Sequence, residues 1–572
     1  MQRNPDRDRA AWGEWRRPHR ERQTAASNQK LLRLMKHKLL NPLRLLLVVI
    51  CMLGIAAEGQ EIMVGVVKYK LNPTTKTAKV VQSGELITQE TVIIEPTLTY
   101  ENEEYTVTEI DEYSLCPPYW NQRNTMKSII LPETIKKIGE CAFLLTDIES
   151  ITIPNSVDTI MQMAFQDCNK LKTIKLSESI TVIPGGLFMG CSSLEEIEIP
   201  NSVQRFTTDM QDPNIDPAEM EEDMKFASDP NFYYAMGQAF QGCENLKTVF
   251  LSKHIKSIPF STFQDCTNLT YCEIPQNDNF NFGFMCLQNC PIQEIEIPNN
   301  IYAFCDLAIT PQASKFVKSY WEDPIPYAYF SDPNPTCPLY VPKGLSGIYN
   351  TAWTMWEGPI KEATPVELEG EWRTFCAYED LDFSGVEGLE AYVATEYQDG
   401  KVLMEPIEQV PAGTGVVLKG APGIYEIPYP EQDEALEPVD NLLVGLNYGE
   451  RIQAETEDGQ CNLFFNDATE MASLFYGPFM DAERAPRLNA EGEQPMFEPA
   501  DGARLPYHRA YLQLPASEAG KTVEMVFGSL TGIEEVEAQP QTDGNIYNLQ
   551  GQRVVNPGPG IYIQNGRKFI VR

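Results

Sequence analysis

Apolar and polar positions follow a fixed long period along the first half of the chain. Two stretches, 153–157 and 199–203, both read Ile-Pro-Asn-Ser-Val within the longer frame A-F-x-x-C-x-x-L-x-x-I-x-I-P-x-S-V-x-x-I. The proline of this frame falls on a 23-residue lattice once a 29-residue insertion after Phe206 is removed. The positions on that lattice are Pro154, Ser177, Pro200, Ser252, Pro275 and Pro298. A fixed period of this length predicts a solenoid of repeated structural units.

Each unit contains the run L-x-x-I-x-I, as in Leu171, Ile174 and Leu176. Such alternation is typical of a short strand with one buried face. About seven units are visible, and one unit alone cannot bury its own apolar side chains. We therefore expect neighbouring strands to stack into a curved parallel sheet, as in a leucine-rich repeat.

The two ends of the solenoid need caps, because an uncovered last unit exposes its apolar core. Residues 60–104 contain two alternating runs around a Thr/Lys turn, a pattern that predicts a capping hairpin. The solenoid itself spans 105–362. Near its end, Trp353 and Trp356 are expected to seal the core.

Two segments, near 207–236 and 309–334, interrupt the regular winding. Insertions in repeat proteins emerge as loops on one face, often the binding face. The first is rich in Asp and Glu, so it is either a solvated acidic loop or a calcium site. It lacks the D-x-[DN]-x-[DN]-G spacing of a dedicated calcium loop, and calcium is the only cofactor that the sequence suggests.

The period disappears after the solenoid. Residues 366–530 show short alternating runs between closely spaced Gly/Pro turns, which predicts a β-sandwich. Residues 531–572 form an acidic linker and a small β unit with strand candidates at 546–549 and 560–563. The predicted fold class is therefore mainly β with short helical or irregular turns: a leucine-rich-repeat solenoid, a β-sandwich and a small C-terminal β unit.

Charge separates the first 59 residues from the rest, since they hold 12 of the 45 Lys and Arg but 5 of the 81 Asp and Glu. The 33 basic and 76 acidic residues that follow give a formal net charge of −43. Such an acidic body repels phosphate backbones, so nucleic acid is not an expected partner.

The segment from Met35 looks like a secretory signal peptide, with basic residues ahead of an apolar run at 45–55. We interpret Met35 as the physiological start and 1–59 as an N-terminal extension plus signal. The run is shorter than the roughly 20 residues of a membrane-spanning helix, and no span is expected after the signal. Cys51 raises the alternative of a lipoprotein, but Ile50 stands where a small residue would be needed. The predicted location is secreted or on the outer cell surface.

Five cysteines follow the repeat lattice: Cys168, Cys191, Cys243, Cys266 and Cys290. A zinc site needs four ligands that converge on one point, whereas this spacing distributes thiols along the solenoid axis. We therefore expect a ladder of small buried side chains and no metal site. Thirteen cysteines follow the signal, and this odd number argues against full pairing, although a local bridge among Cys286, Cys290 and Cys305 stays open.

Candidate catalytic residues are scarce, because only His254 and His508 follow the signal. We expect His254 in an exposed turn, and His508 precedes a strand without a Ser or Cys motif beside it. No G-x-S-x-G, H-E-x-x-H or G-x-x-x-x-G-K-[ST] occurs. The chain is therefore not expected to be an enzyme, although a carbohydrate-active carboxylate pair stays an alternative.

The repeats of the form Ala-Phe-Gln-Asp-Cys-Asn-Lys-Leu-Lys-Thr-Ile, joined by Ile-Pro-Asn-Ser-Val, resemble the BspA-type leucine-rich repeats of secreted bacterial surface proteins. The resemblance covers about residues 61–362. The end of the chain resembles the C-terminal sorting segments of exported Bacteroidetes proteins. These resemblances imply display outside the cell and binding of host proteins, other bacteria or polymers, in the manner of an adhesin.

The residues that flank the central Ile of each strand should point to the open side of the sheet. On the later strands, Phe250 and Tyr271 lie there among five glutamates, and exposed aromatics of this kind anchor partners. The candidate ligand-binding residues are Lys175, Glu196, Glu198, Phe250, Tyr271, Glu273, Glu294 and Glu296. They favour a basic or extended protein ligand, unless the two aromatic rings simply pack beneath the insertions.

Two alternatives concern the predicted sandwich. It could bind glycans through Trp372, Tyr378 and Tyr392, because sugar rings stack on aromatic side chains. It could also be a spacer between the solenoid and the C-terminal unit.

Overall fold

The structure is a computed structural model of the 572-residue chain. It describes residues 59–206, 237–466 and 496–571, except for gaps at 278–279, 300, 305–307, 325–333, 433, 447–448, 454, 457–458, 500–503, 506–507, 528–533, 536–545, 549–552, 556–559 and 565–566. The chain divides into two compact units, residues 1–171 and 172–572. The described parts are mainly β, with one α-helix, α1 (Ser346–Ala352), and two 3₁₀ turns, Pro311–Ala313 and Ala516–Glu518. Within those parts, no helix has the length and apolar character to cross a membrane.

The first unit begins with an antiparallel hairpin and continues with repeat strands. Its strands are β1 (Glu61–Val64), β2 (Val67–Asn72), β3 (Thr77–Val81), β4 (Thr91–Ile93), β5 (Thr97–Tyr100), β6 (Glu103–Ile110), β7 (Ser128–Ile130), β8 (Lys137–Ile138), β9 (Ser150–Thr152) and β10 (Thr159–Ile160). Strands β2 and β3 pair antiparallel where the sequence predicts a hairpin, and the capping role of this hairpin stays a prediction. Strands β4, β7 and β9 pair in parallel, as the repeat pattern predicts.

The second unit contains the remaining repeats. Their strands are β11 (Thr173–Lys175), β12 (Val182–Ile183), β13 (Glu196–Glu198), β14 (Arg205–Phe206), β15 (Thr248–Phe250), β16 (Ser257–Ile258), β17 (Tyr271–Glu273), β18 (Phe280–Phe282), β19 (Glu294–Ile297), β20 (Ile301–Phe304), β21 (Phe316–Ser319), β22 (Leu339–Tyr340) and β23 (Ile360–Lys361). Strands β13, β15 and β17 pair in parallel, and so do β19, β21, β22 and β23.

The segment near 309–334 differs from its prediction as an insertion. Strand β21 lies within it and pairs in parallel with both β19 and β22, so this part of the segment continues the repeat sheet. The lattice missed β21 because its sequence, Phe-Val-Lys-Ser, replaces the usual apolar ending with a polar side chain. At the closing end, Trp353 is 1% exposed and packs against Tyr349 and Trp321, whereas Trp356 is half-buried.

One phenylalanine from each repeat stacks on its neighbour inside the solenoid. The ring centroids of Phe143 and Phe165 lie 4.8 Å apart in the first unit. In the second unit, Phe240 lies 5.3 Å from Phe188 and 5.1 Å from Phe263. All five side chains are fully buried, and offset-stacked rings at this distance attract each other beyond the gain from burial. The repeat period therefore produces a stacked aromatic core within each unit.

The lattice cysteines connect successive repeats by hydrogen bonds. In four of the five, Sγ–H donates to the backbone oxygen of the stacked phenylalanine in the preceding repeat. The pairs are Cys168 with Phe143 (3.2 Å), Cys243 with Phe188 (3.2 Å), Cys266 with Phe240 (3.2 Å) and Cys290 with Phe263 (3.0 Å). All five lattice cysteines are buried, which confirms the predicted ladder. Cys286 and Cys290 form no disulfide in the part of the chain that the structure describes, and Cys305 lies outside it.

We expect these thiols to be chemically inert in the folded protein. Burial raises the pKa of Cys116 to about 11 and that of Cys337 to about 12, so almost no reactive thiolate forms at neutral pH. A thiol reagent followed by peptide mapping should leave the twelve described cysteines unmodified in buffer and modify all of them in urea. Stoichiometric modification of Cys243 or Cys266 in buffer would contradict this expectation.

The region 364–527 follows the repeats, and we name it the covering region. Its strands are β24 (Thr364–Leu368), β25 (Trp372–Phe375), β26 (Leu381–Asp382), β27 (Leu389–Gln398), β28 (Lys401–Pro406), β29 (Gln409–Val410), β30 (Val416–Gly420), β31 (Gly423–Ile427), β32 (Leu443–Leu446), β33 (Glu450–Arg451), β34 (Gln460–Asn466), β35 (Met496–Pro499), β36 (Arg504–Leu505), β37 (Arg509–Pro515) and β38 (Val523–Phe527). Nine of them form one mostly antiparallel sheet, in the order β25-β30-β27-β28-β38-β35-β34-β37-β32. The sandwich architecture itself stays a prediction.

A separate five-stranded sheet ends the chain. It consists of β39 (Glu534–Glu535), β40 (Ile546–Asn548), β41 (Arg553–Val554), β42 (Gly560–Gln564) and β43 (Arg567–Val571). The antiparallel pairing of β40 with β42 confirms the two strands expected near 546–549 and 560–563.

Candidate functional site

The repeat face, meaning the outward-pointing side chains of the parallel repeat strands, is open to solvent in the first unit. Ile93 and Ile130 are directly opposite each other on β4 and β7, and they are 54% and 55% exposed. Beside them, the hydroxyl groups of Thr91 and Ser128 are hydrogen-bonded at 3.0 Å. The next strand adds Ser150 and Thr152, and both are exposed. This part of the repeat face is uncharged, with hydroxyl and aliphatic groups at strand spacing.

The repeat face of the second unit starts with charged, accessible side chains. Lys175 on β11 is exposed, and Glu196 and Glu198 on β13 are half-buried. These three predicted residues therefore lie at the surface.

Accessibility changes at β15. Phe250 is only 5% exposed, and its ring centroid lies 5.7 Å from that of the half-buried Tyr271. The sequence placed Phe250 on an open ligand strip, and that expectation is wrong. The buried Phe250 ring packs against Tyr271, which is partly accessible.

The covering region reaches two of the predicted acidic residues. The backbone N–H of Gly449 donates to Oε1 of Glu273 at 2.5 Å, and a Cβ at residue 449 would come within 2.3 Å of this carboxylate. Glu273 and Glu296 are 5% and 6% exposed, and Glu294 is half-buried. Their expected exposure is therefore wrong for Glu273 and Glu296, because the repeat face of β17 and β19 lies against another part of the same unit.

His508 joins the covering region to the repeat face. Its Nε2 lies 2.9 Å from Oε2 of Glu296, and its Nδ1 lies 2.7 Å from the backbone oxygen of Cys376. The Tyr320 hydroxyl lies 3.1 Å from the same Glu296 oxygen and 3.2 Å from Nε2. His508 and Glu296 are each 8% exposed at the side chain, so this contact is buried.

Lys318 makes a second buried contact between the two regions. It neighbours Glu296 on the adjacent parallel strand, and its side chain is 2% exposed. Its Nζ lies 3.0 Å from Oε1 of Glu379 and donates to the Thr364 hydroxyl at 3.0 Å. The same ammonium group lies 4.3 Å from the centre of the Tyr320 ring. A buried lysine requires such partners, because an unpaired charge away from water is strongly unfavourable.

The buried carboxyl groups respond differently to their surroundings. Burial alone would raise the pKa of Glu296, but the charge and hydrogen bond of His508, with Lys318, hold this pKa below its ordinary value. For Glu294, burial raises the pKa despite the neighbouring Arg373 guanidinium. Glu296 is therefore the ionised partner that the cationic side chains stabilise.

Further ionic contacts surround this cluster. Lys315 Nζ lies 2.6 Å from Oε2 of Glu367, and Lys361 pairs with Glu426. Lys343 Nζ donates to the backbone oxygens of residues 430 and 431. These polar bonds add to the contact between the covering region and the repeats.

The aromatic residues predicted for glycan binding are mostly covered. Trp372 is 9% exposed, with Phe527 at a ring distance of 5.6 Å and the Lys419 ammonium 4.9 Å from its ring. Tyr378 packs edge-on against His508 at 5.3 Å. Tyr392 is half-buried. Stacking of a sugar needs a free ring face, which Trp372 does not provide.

His254 is exposed in its turn, as predicted. Among the described residues, no group of three or more His, Cys, Asp or Glu is arranged to hold a metal ion. The acidic segment 207–236 and the signal segment 1–58 lie outside the described residues, so calcium binding and the signal peptide stay predictions.

Sequence analysis did not predict a role for Lys318. It also did not predict the contact between His508 and Glu296. Lys318 lies on β21, which the repeat lattice did not include, and Phe-Val-Lys-Ser has no apolar–polar alternation that could have indicated it. His508 is 212 residues from Glu296 along the chain, so no local pattern connects them.

The repeats are similar to a known family of leucine-rich repeats. A profile for the BspA type leucine rich repeat region matches residues 104–212 and 222–311 in six copies. A comparison with curated proteins finds no match.

Several solved bacterial structures resemble part of the chain. The T. pallidum leucine rich repeat protein is 20% identical, with a TM-score of 0.30 over 40% of this chain and 89% of its own. The pneumococcal vaccine antigen PcpA is 15% identical, with a TM-score of 0.22 over 54% of this chain and 99% of its own. A leucine rich cell surface protein from Faecalibacterium prausnitzii A2-165 is 18% identical, with a TM-score of 0.21 over 53% of this chain and 95% of its own. Together, the parallel repeat strands, the phenylalanine and cysteine ladders and the matched profile show that residues 104–212 and 222–311 are similar to BspA-type leucine-rich repeats.

Proposed function

We propose that this protein is a secreted or cell-surface binding protein, of the adhesin type, whose repeat face binds a protein partner. The BspA-type repeat region supports display outside the cell, as do the sequence features of the signal segment and of the C-terminal unit, which resembles Bacteroidetes sorting segments. The proposal assigns no catalytic activity to the chain.

The observation that carries the proposal is the open, uncharged repeat face of the first unit. Ile93 and Ile130 expose more than half of their surface on adjacent strands, in a chain with a formal net charge of −36. A rigid sheet loses little conformational entropy when it binds, which favours affinity. The partner should therefore present aliphatic and hydroxyl groups, and binding should depend little on salt because few charges are involved.

The test begins with the full secreted chain, used to capture proteins from host and bacterial surface extracts. A captured protein is then purified, and its direct binding is measured. Ile93→Ser combined with Ile130→Ser should weaken that binding by about tenfold or more, since two central apolar contacts are lost. Ile424→Ser, a matched change of an exposed isoleucine on β31, should leave it unchanged.

Two results would contradict the proposal. One is equal binding by the double variant and the Ile424→Ser control. The other is binding to a glycan array with no direct protein binding, which would favour the alternative of a carbohydrate-binding role for the covering region.

A further inference from the structure

Strand β4 is an end strand of the repeat sheet, and among the described strands it pairs only with β7. The backbone oxygen of Glu90 and the backbone N–H of Ile94 both bond to β7, at 3.0 Å and 3.1 Å. Successive residues of a strand direct their N–H and C=O groups to opposite edges. Thr91 and Ile93 therefore direct these groups away from β7.

The outer edge of β4 is open. Within the part of the chain that the structure describes, no hydrogen bond uses the backbone N–H or C=O of Thr91 or Ile93. Both residues are exposed, Ile93 to 54%, and unpaired backbone groups are tolerated where water reaches them. The edge therefore presents two hydrogen-bond donors and two acceptors at the spacing of a strand.

Strand β4 lacks the features that usually protect an edge strand from pairing. Proteins place a lysine, a proline or a bulge on such an edge, because an unprotected edge pairs readily with other chains. The three residues of β4 are Thr, Val and Ile, and their register with β7 has no bulge. All three are β-branched and uncharged, and such residues favour strands. The sequence of β4 therefore suits the addition of a further strand.

An added strand would extend the repeat face of the first unit. Strands β4, β7 and β9 are each three residues long, so three paired residues are enough to continue the sheet. One outward side chain of the added strand would lie beside Ile93, in the same row as Ile130. An aliphatic side chain at that position would cover the exposed surface of Ile93, as cross-strand pairs do.

The charges beside β4 indicate a different protein rather than a second copy of this chain. Glu90 is paired with Lys127 at 2.6 Å, whereas Glu95 is exposed and forms no ion pair with any described residue. A second copy would bring another chain with a formal net charge of −36 against this edge, and charge repulsion disfavours that contact. A basic side chain of a partner would instead complement Glu95.

We propose that the open edge of β4 binds an extended segment of a partner protein, which joins the repeat sheet as a further strand. The segment has hydroxyl and aliphatic side chains at alternate positions and a lysine or arginine that faces Glu95. Backbone hydrogen bonds to Thr91 and Ile93 provide affinity, and the side chain beside Ile93 provides specificity. This inference rests on the proposed function and specifies how the repeat face of the first unit holds its partner.

The test uses the full chain and a synthetic peptide, acetyl-Lys-Thr-Ile-Thr-Ile-Thr-Lys-amide, with amide hydrogen exchange as the measurement. In the chain alone, the amides of Val92 and Ile94 should be protected, and those of Thr91 and Ile93 should exchange rapidly. At saturating peptide, the Thr91 and Ile93 amides should exchange about tenfold more slowly or less, because each gains a hydrogen bond. The same peptide with all its backbone N–H groups methylated should give no protection.

Two proline variants test the backbone contact directly. Thr91→Pro removes one free N–H without breaking a bond to β7, and it should weaken peptide binding by about tenfold. Thr97→Pro makes the same change at the exposed first residue of β5, and it should bind the peptide like the unmodified chain. If Thr91→Pro does not fold, the exchange measurement on the unmodified chain still decides the proposal.

Several results would overturn the proposal. They are unchanged exchange of Thr91 and Ile93 with the peptide, equal protection by the methylated peptide, and equal binding by the two proline variants. Protection of these two amides without peptide would also overturn it. In that case a segment of the same chain would occupy the edge, or a second copy if the protection rises with protein concentration.

This inference and the proposed function can fail separately. Suppose that Thr91→Pro still binds a captured surface protein, whereas Ile93→Ser combined with Ile130→Ser does not. The repeat face would then bind that protein through side chains alone, and strand addition would be wrong. If the double variant retains the captured protein, the proposed repeat-face binding fails, and the peptide measurements still decide whether β4 accepts a strand.

Discussion

Phe240→Ala should lower the free energy of unfolding of the second unit by about 3–5 kcal/mol, the usual cost of removing a fully buried phenylalanine. Phe240 stacks on Phe188 on one side and on Phe263 on the other, so its loss opens a cavity in the aromatic core and removes both ring contacts. Stacking of repeats stabilises a solenoid through contacts between neighbours, so the cavity also weakens the connection between adjacent repeats. Urea unfolding followed by circular dichroism would measure the effect.

Phe260→Ala is the matched control. Phe260 belongs to the same part of the solenoid and also stacks on a neighbour, Phe284, at 5.9 Å, but both rings are 37% exposed. We expect this change to cost about 1 kcal/mol or less, because solvent already reaches the ring. Similar costs for Phe240→Ala and Phe260→Ala would mean that the buried ladder does not determine the stability of the repeats.

Lys318→Met should destabilise the second unit by about 3 kcal/mol, the lower end of the range for removing one partner of a buried ion pair, because the Glu379 side chain is 22% exposed. Methionine fills a similar volume, so the cost comes mainly from charge. The change leaves the Glu379 carboxylate without its cation and removes one of the cations near Glu296. Thermal or urea unfolding at neutral pH would measure the loss.

The double variant Lys318→Met/Glu379→Gln separates the cost of an unpaired charge from the cost of the altered packing. Removal of both charges should recover much of the stability, because the cost of a broken buried pair lies in the charge that stays behind. Lys247→Met serves as the control, since its ion pair with Glu195 is exposed and such pairs contribute little. Equal effects of the two lysine substitutions would show that Lys318 is not buried against the covering region.

The repeat period predicted much of the fold, for a physical reason. Each repeat buries the same positions against its neighbours, so the stacked Phe240 and the hydrogen-bonded Cys266 are both determined by contacts about one period away. Equivalent residues of successive repeats have the same kinds of neighbours. The sequence pattern of one repeat is therefore enough to predict which of its side chains are buried. The same reasoning failed for β21, whose environment is regular but whose sequence is not.

The burial of the candidate site residues depends on contacts with residues outside the repeats. Glu273 and Ile130 occupy equivalent outward positions on their strands, yet one is 5% exposed and the other 55%. Alternation determines which face of a strand a side chain occupies, but it does not determine what lies against that face. Burial of Glu273 follows from Gly449, which is 176 residues later in the chain.

The sequence by itself determined the parallel repeats, the buried phenylalanine and cysteine ladders and the outward direction of the candidate residues, because these properties follow from neighbours at a fixed spacing. Only the tertiary structure decided which part of the repeat face stays open, because the covering region meets β17 and β19 through residues distant in the chain. The pairing of Glu296 with His508 and of Lys318 with Glu379 belongs to this second class. Burial of charge requires a partner in three dimensions, and the fold rather than the local sequence supplies it.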